Sequence, residues 1–121
     1  MEIKIAGKFP GMNDIIAASK KHFSAYSKMK RENTEIFMWH LKKFSPITGK
    51  AVIVITWNFK NKRRDPDNIM ASQKFIMDAL VKNGVLKDDT VDYIDSIRHH
   101  FNLCDEDSVT IKVEAFQPEL Q

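Results

Sequence analysis

At 121 residues the chain has the length of one domain with a single modest core, and 43% hydrophobic with 29% charged residues argues against disorder. A formal net charge of +3 hints at a polyanionic partner, with basic residues gathered in the first half and acidic ones concentrated after Asp65. One cysteine, Cys104, excludes an internal disulfide and a cysteine-built zinc site, and no apolar run approaches bilayer length. The opening MEIKIAGKFPG lacks the apolar core of a signal peptide, so a cytoplasmic protein without a membrane partner is expected.

Residues 2–6, EIKIA, alternate as a short strand and run into the turn-rich GKFPG. Asn13 or Asp14 is placed to cap a helix through IIAASKKHF. A second helix is predicted from Tyr26 to Lys43, with Met29, Ile36, Phe37, His40, Leu41 and Phe44 at buried-face spacing. Pro46 and Gly49 mark its end. AVIVITWNF, 51–59, is continuously apolar and too short for a typical helix, which predicts a strand buried on both faces. A third helix begins at Asp65, with Pro66 in the first turn that helices tolerate. Ile69, Ile76 and Leu80 give it an apolar face, and Asn83–Gly84 close it. Tyr93–Phe101 and then 108–116, SVTIKVEAF, are predicted as strands, the latter with clean alternation. The order β–α–α–β–α–β–β predicts an α/β (α+β) fold, a single domain over 1–121, with a mixed sheet and helices on one face.

The chemistry concentrates in RRDPDNIMASQKFIMDAL, from Arg63, and in KDDTVDYID, from Lys87. Helix capping accounts for one aspartate at a helix start, at about 0.5–2 kcal/mol. It accounts less well for Asp65 and Asp67 together, and not for Asp88 and Asp89. If the pairs meet, oxygen ligands without His or Cys favour Mg²⁺ or Mn²⁺, which leave open positions for phosphate oxygens. Such a site activates water for phosphodiester hydrolysis. A calcium loop is excluded, because the glycine and glutamate it needs fall on Met70 and Ile76. Lys74 returns to the helix face of Asp67, where it either contacts a phosphate or pairs with Asp78. Asn68 is either a neighbour in the cap or a donor that orients a ligating carboxylate. His99 and His100 point to opposite faces of a strand, so both, like His22 and His40, read as structural or surface residues. Asp105, Glu106 and Asp107 form a polar turn, and Trp39 and Trp57 read as core.

The span RRDPDN, then K-F-I-M-D-A-L, then G-V-L-K-D-D, resembles the RusA-type crossover junction endodeoxyribonucleases, often encoded by prophages. GKFPGMND resembles the family's early P-x-x-N segment, and YSKMKRENTE its basic helix, so the resemblance spans nearly the whole chain. It implies a homodimeric, Mg²⁺-dependent bacterial or phage enzyme that resolves four-way (Holliday) DNA junctions by paired nicks, without a small-molecule cofactor. Asp65, Asp67 and Asp89 would be metal ligands, with Asp88 assisting. The family's catalytic lysine, four residues after the second aspartate, falls here on Ala71, whereas counting back from D-A-L gives Lys74. Lys62, Arg63 and Arg64 would meet the DNA backbone beside the site, and Lys28, Lys30 and Arg31 are further candidates. The competing expectations are a nucleic-acid binder without catalysis, a phosphohydrolase of small phosphate esters, and a family member that binds junctions but turns over poorly.

Overall fold

A computed structural model describes residues 1–61 and 64–118; Lys62 and Arg63, two of the expected backbone contacts, lie outside the described residues. The elements run β1 (Glu2–Ala6), α1 (Met12–Lys21), α2 (Phe23–Leu41), β2 (Ala51–Phe59), α3 (Pro66–Ile69), a 3₁₀ turn (Met70–Ser72), α4 (Gln73–Lys82), β3 (Ile94–Leu103) and β4 (Ser108–Ala115). The strands form one mixed sheet in the order β1-β4-β2-β3. β2 pairs in parallel with β3, through the crossover made by α3 and α4, and antiparallel with β4. The expected α+β order and mixed sheet are both present. No helix among the described residues is long and apolar enough to cross a membrane.

Register follows the period-two side-chain pattern. Ile53 lies opposite Val113, Ile55 opposite Ile111 and Trp57 opposite Val109, and all six are buried. Against this face pack Phe37 and Leu41 of α2 and Phe75, Ile76, Ala79 and Leu80 of α4, each without exposed surface. β2 corrects the expectation of burial on both faces. Ala51, Ile53, Ile55 and Trp57 are buried, whereas Val52, Val54, Thr56 and Asn58 are only half-buried, because the helices cover a single side.

Helix boundaries shift for local reasons. α1 starts two residues earlier than a cap at Asn13 would give: Gly11 is the capping residue, and the Asp14 carboxylate reaches back to accept its N–H at 2.9 Å. His22 is extended and separates α1 from α2; its ring Nδ1 accepts the Ser24 N–H and so starts α2 three residues before Tyr26. Along α2 the buried stripe is narrower than predicted, holding Thr34, Phe37 and Leu41, while Ile36 is 43% exposed. Trp39, expected in the core, is 66% exposed under the Lys42 ammonium, which sits 3.3 Å from its ring centroid. The helix after Asp65 is broken by the 3₁₀ turn and restarts at Gln73. Its end is as expected: Gly84 takes the positive φ of 76° and the Val85 and Leu86 N–H groups both return to the Leu80 carbonyl.

One buried position is chemically mismatched. Thr34 is 1% exposed and its hydroxyl has no hydrogen-bond partner among the described residues. An isosteric valine removes the unsatisfied group, so Thr34→Val is expected to stabilise the protein by about 1 kcal/mol, read as a higher midpoint in urea with an unchanged slope.

Candidate metal and phosphate site

The capping explanation for Asp65 fails on geometry. It is the residue before α3, extended at φ −82° and ψ 141°, and its side chain makes no capping hydrogen bond. Pro66 occupies the first helical position and Asp67 the first turn, so both exposed carboxylates sit at the positive end of α3 with no bond to its backbone.

Asp67, Lys74 and Asp89 line one cleft of about 390 Å³, whose wall also includes Asp78 and the apolar side chains of Met12, Met70, Met77 and Ile97. The crossover explains the meeting. α4 runs back along the sheet, Gly84 turns the chain, and the stretch before β3 returns Asp89 to the side of the helix that carries Lys74. The 3₁₀ turn changes the rotation between Asp67 and Lys74, yet both still address the same space. Asp65 and Asp88 are not part of this wall. Asp88 is engaged locally, with Oδ1 accepting the Asp89 N–H at 2.8 Å.

The intrahelical pair between Lys74 and Asp78 is not formed. Asp78 faces Lys30 of α2, with Oδ2 3.7 Å from Nζ, and Lys74 has no ion-pair partner among the described residues. Lys30 therefore stands beside the cleft. It joins Asp78, Val81, Lys82 and Asp89 around an adjoining hollow. The other basic residues are dispersed. Lys28 lies 3.9 Å from Glu32 on its own helix, Arg31 is exposed, and Arg64 lines a separate hollow with Asp107 and Asn58.

Asn68 does not orient a carboxylate. Its Oδ1 accepts the Asn13 N–H at 2.8 Å, and its amide lies against Gly11 so closely that a Cβ there would meet it at 2.7 Å. Ser72, wholly buried, donates its hydroxyl to the Pro10 carbonyl. The segment before α1 is thus fastened to the acidic turn at two points, which brings Met12 to the cleft wall. The residue composition of GKFPGMND gives no sign of this; only the fold places it against residue 68.

Among the described residues no three Asp, Glu, His or Cys side chains are grouped so as to hold a metal ion by themselves. Mg²⁺ does not require such a cage. It keeps several waters and takes one or two carboxylates plus substrate phosphate oxygens. Asp67 and Asp89 on one open cleft fit that requirement; among the described residues the wall carries no thiolate or imidazole, and the thioethers of Met12, Met70 and Met77 are soft donors that a hard cation passes over for the carboxylates. Compared with known proteins, the chain matches no family model and no curated relative.

Behind the cleft the two histidines divide as expected. His99 points into the helix–sheet interface, where Trp57 Nε1–H donates to its Nδ1 at 2.8 Å. Indole is only a donor, so the ring proton is on Nε2, which donates to the Gln73 Oε1 at 2.6 Å. Gln73 opens α4 and lines the cleft beside Lys74. Burial, with a smaller contribution from the neighbouring His100 charge, holds the His99 pKa below the ordinary histidine value. The unfolded chain therefore binds the proton more readily than the folded one. The stabilisation from neutral His99 is fully present above the unfolded value of about 6.5 and is lost as pH falls through the folded value. Melting temperature should drop as pH falls below the unfolded value of about 6.5, and His99→Gln should flatten that part of the profile.

Proposed function

We propose that this chain is a Mg²⁺-dependent endodeoxyribonuclease that acts on branched DNA, nicking four-way junctions in recombination and repair. The observation that carries the reading is the shared cleft, in which Asp67 and Asp89, far apart in sequence, stand with Lys74, which has no ion-pair partner among the described residues. Asp67 and Asp89 would hold the cation, with Asp65 at the same helix mouth. The metal supplies an activated water and stabilises charge on the leaving oxygen. Lys74 offers an ammonium to the scissile phosphate, whose charge grows in the transition state. The cleft's open form suits a polymer strand better than a small ester that needs enclosure.

The resemblance of RRDPDN, the D-A-L helix and the DD pair to RusA-type resolvases adds the branched substrate and a homodimer. A two-fold assembly would present two clefts to a nearly two-fold junction, and a bacterial or phage cytoplasm is the setting that fits. The deciding experiment is cleavage of a labelled four-way junction beside linear duplex of the same sequence, in Mg²⁺ and in EDTA. Paired nicks on the junction alone, and only with Mg²⁺, are expected. Tight binding without cleavage under any divalent metal would make the protein a binder. Equal cleavage of small phosphate esters would make it a phosphohydrolase.

A further inference from the structure

We propose that Lys30, by engaging Asp78, keeps Lys74 available to the cleft, which makes Lys30 a positioning residue; this rests on the nuclease reading above. Asp78 follows Lys74 by one helical turn, the spacing at which an aspartate and a lysine ordinarily pair. Here the pair is broken in favour of a partner on another helix. α2 packs on α4 and brings Lys30 Nζ to 3.7 Å from Asp78 Oδ2.

That oxygen is buried and accepts no hydrogen bond from the described residues. At 3.7 Å the ammonium is too far to bond it, so what balances it is charge at short range. The Asp78 side chain is 21% exposed and that of Lys30 41%, so the pair is screened less than one in open solvent. A carboxylate with one buried oxygen lacking a hydrogen bond among the described residues draws a nearby cation toward it. Deleting the Lys30 charge would force Asp78 to recruit another, and its own helix offers Lys74 one turn before and Lys82 one turn after. Of these only Lys74 lines the cleft with Asp67 and Asp89. Its recruitment would withdraw the only cation that the described residues place on that wall.

Four variants test this: Lys30→Met, Lys30→Arg, Asp78→Asn, and Lys30→Met combined with Asp78→Asn. Single-turnover cleavage in Mg²⁺ and junction binding in Ca²⁺ are measured for each, with melting curves to confirm folding. Lys30→Met is expected to slow cleavage about tenfold while binding stays within about twofold. Lys30→Arg and the double variant should recover the wild-type rate, because one restores the partner and the other removes the charge that would capture Lys74. An unchanged rate in Lys30→Met, a loss not rescued in the double variant, or a fall in binding that matches the fall in rate would each overturn the proposal. If Lys30→Met does not fold, Asp78→Asn alone decides: cleavage near wild type supports the proposal and a large loss overturns it. Wild-type protein that cleaves no junction would overturn the nuclease reading and this inference with it. Wild-type cleavage without rescue would overturn this inference alone.

Discussion

Asp67→Asn is expected to slow Mg²⁺-dependent junction cleavage by about 100-fold or more while the protein still folds and still binds DNA. Asparagine keeps the size and one oxygen of aspartate but removes the charge that a hard cation needs. The structural cost is small, because Asp67 is exposed and makes no hydrogen bond to the α3 backbone. What is lost from folding is a favourable charge at a helix start, about 0.3–1 kcal/mol. Asp89→Asn should behave in the same way, since Asp89 lines the same cleft. Asp88→Asn is the internal control: that side chain caps its neighbour's N–H, and an amide oxygen does this almost as well. Single-turnover rates and melting curves on the three variants separate chemistry from folding. An Asp67→Asn protein that cleaves at the wild-type rate would return the carboxylates to the capping role.

Legibility in the sequence tracked how local each interaction is. β2 and β4 and the Asn83–Gly84 stop are short-range patterns, and they lie where periodicity and turn chemistry put them. α2 was misread because its apolar residues outnumber those its neighbours can cover. Phe37 and Leu41 face α4 and the sheet, and Ile36 and Trp39 are left in solvent. The break at Met70–Ser72 was missed because Ser72 reads as an indifferent helix residue until Pro10 is placed beside it. At the site, Asp67, Asp89 and Lys74 were legible as residue types with a resemblance behind them. Asp78 was legible only as the wrong partner: its pairing with Lys30 depends on how α2 crosses α4, which no spacing along the chain encodes.

The second large effect is expected at a residue with no side chain. Gly11→Ala should lower stability by about 2–3 kcal/mol and reduce cleavage at the same time. Backbone strain is not the cause, because Gly11 lies at φ −91°, which alanine adopts freely. The cause is contact: an added Cβ would stand 2.7–2.8 Å from three atoms of the Asn68 amide, closer than such atoms approach. Asn68 has little room to yield, since its Oδ1 is held by the Asn13 N–H and Ser72 fixes the same segment through Pro10. Moving the amide therefore sacrifices a long-range tether, and Asp67, next to Asn68 in the chain, moves with it. Met12, next to Gly11, forms the facing wall of the cleft. A purely steric origin makes a specific demand on a double variant. In an Asn68→Ala background the amide is gone, so Gly11→Ala should add less than about 0.5 kcal/mol to the cost already incurred. Full additivity of the two substitutions in urea unfolding would mean that the segment before α1 is not locked to the acidic turn through this contact. The cleft wall at Met12 would then owe its position to the Asn13–Asn68 and Ser72–Pro10 hydrogen bonds and not to the close approach at Gly11.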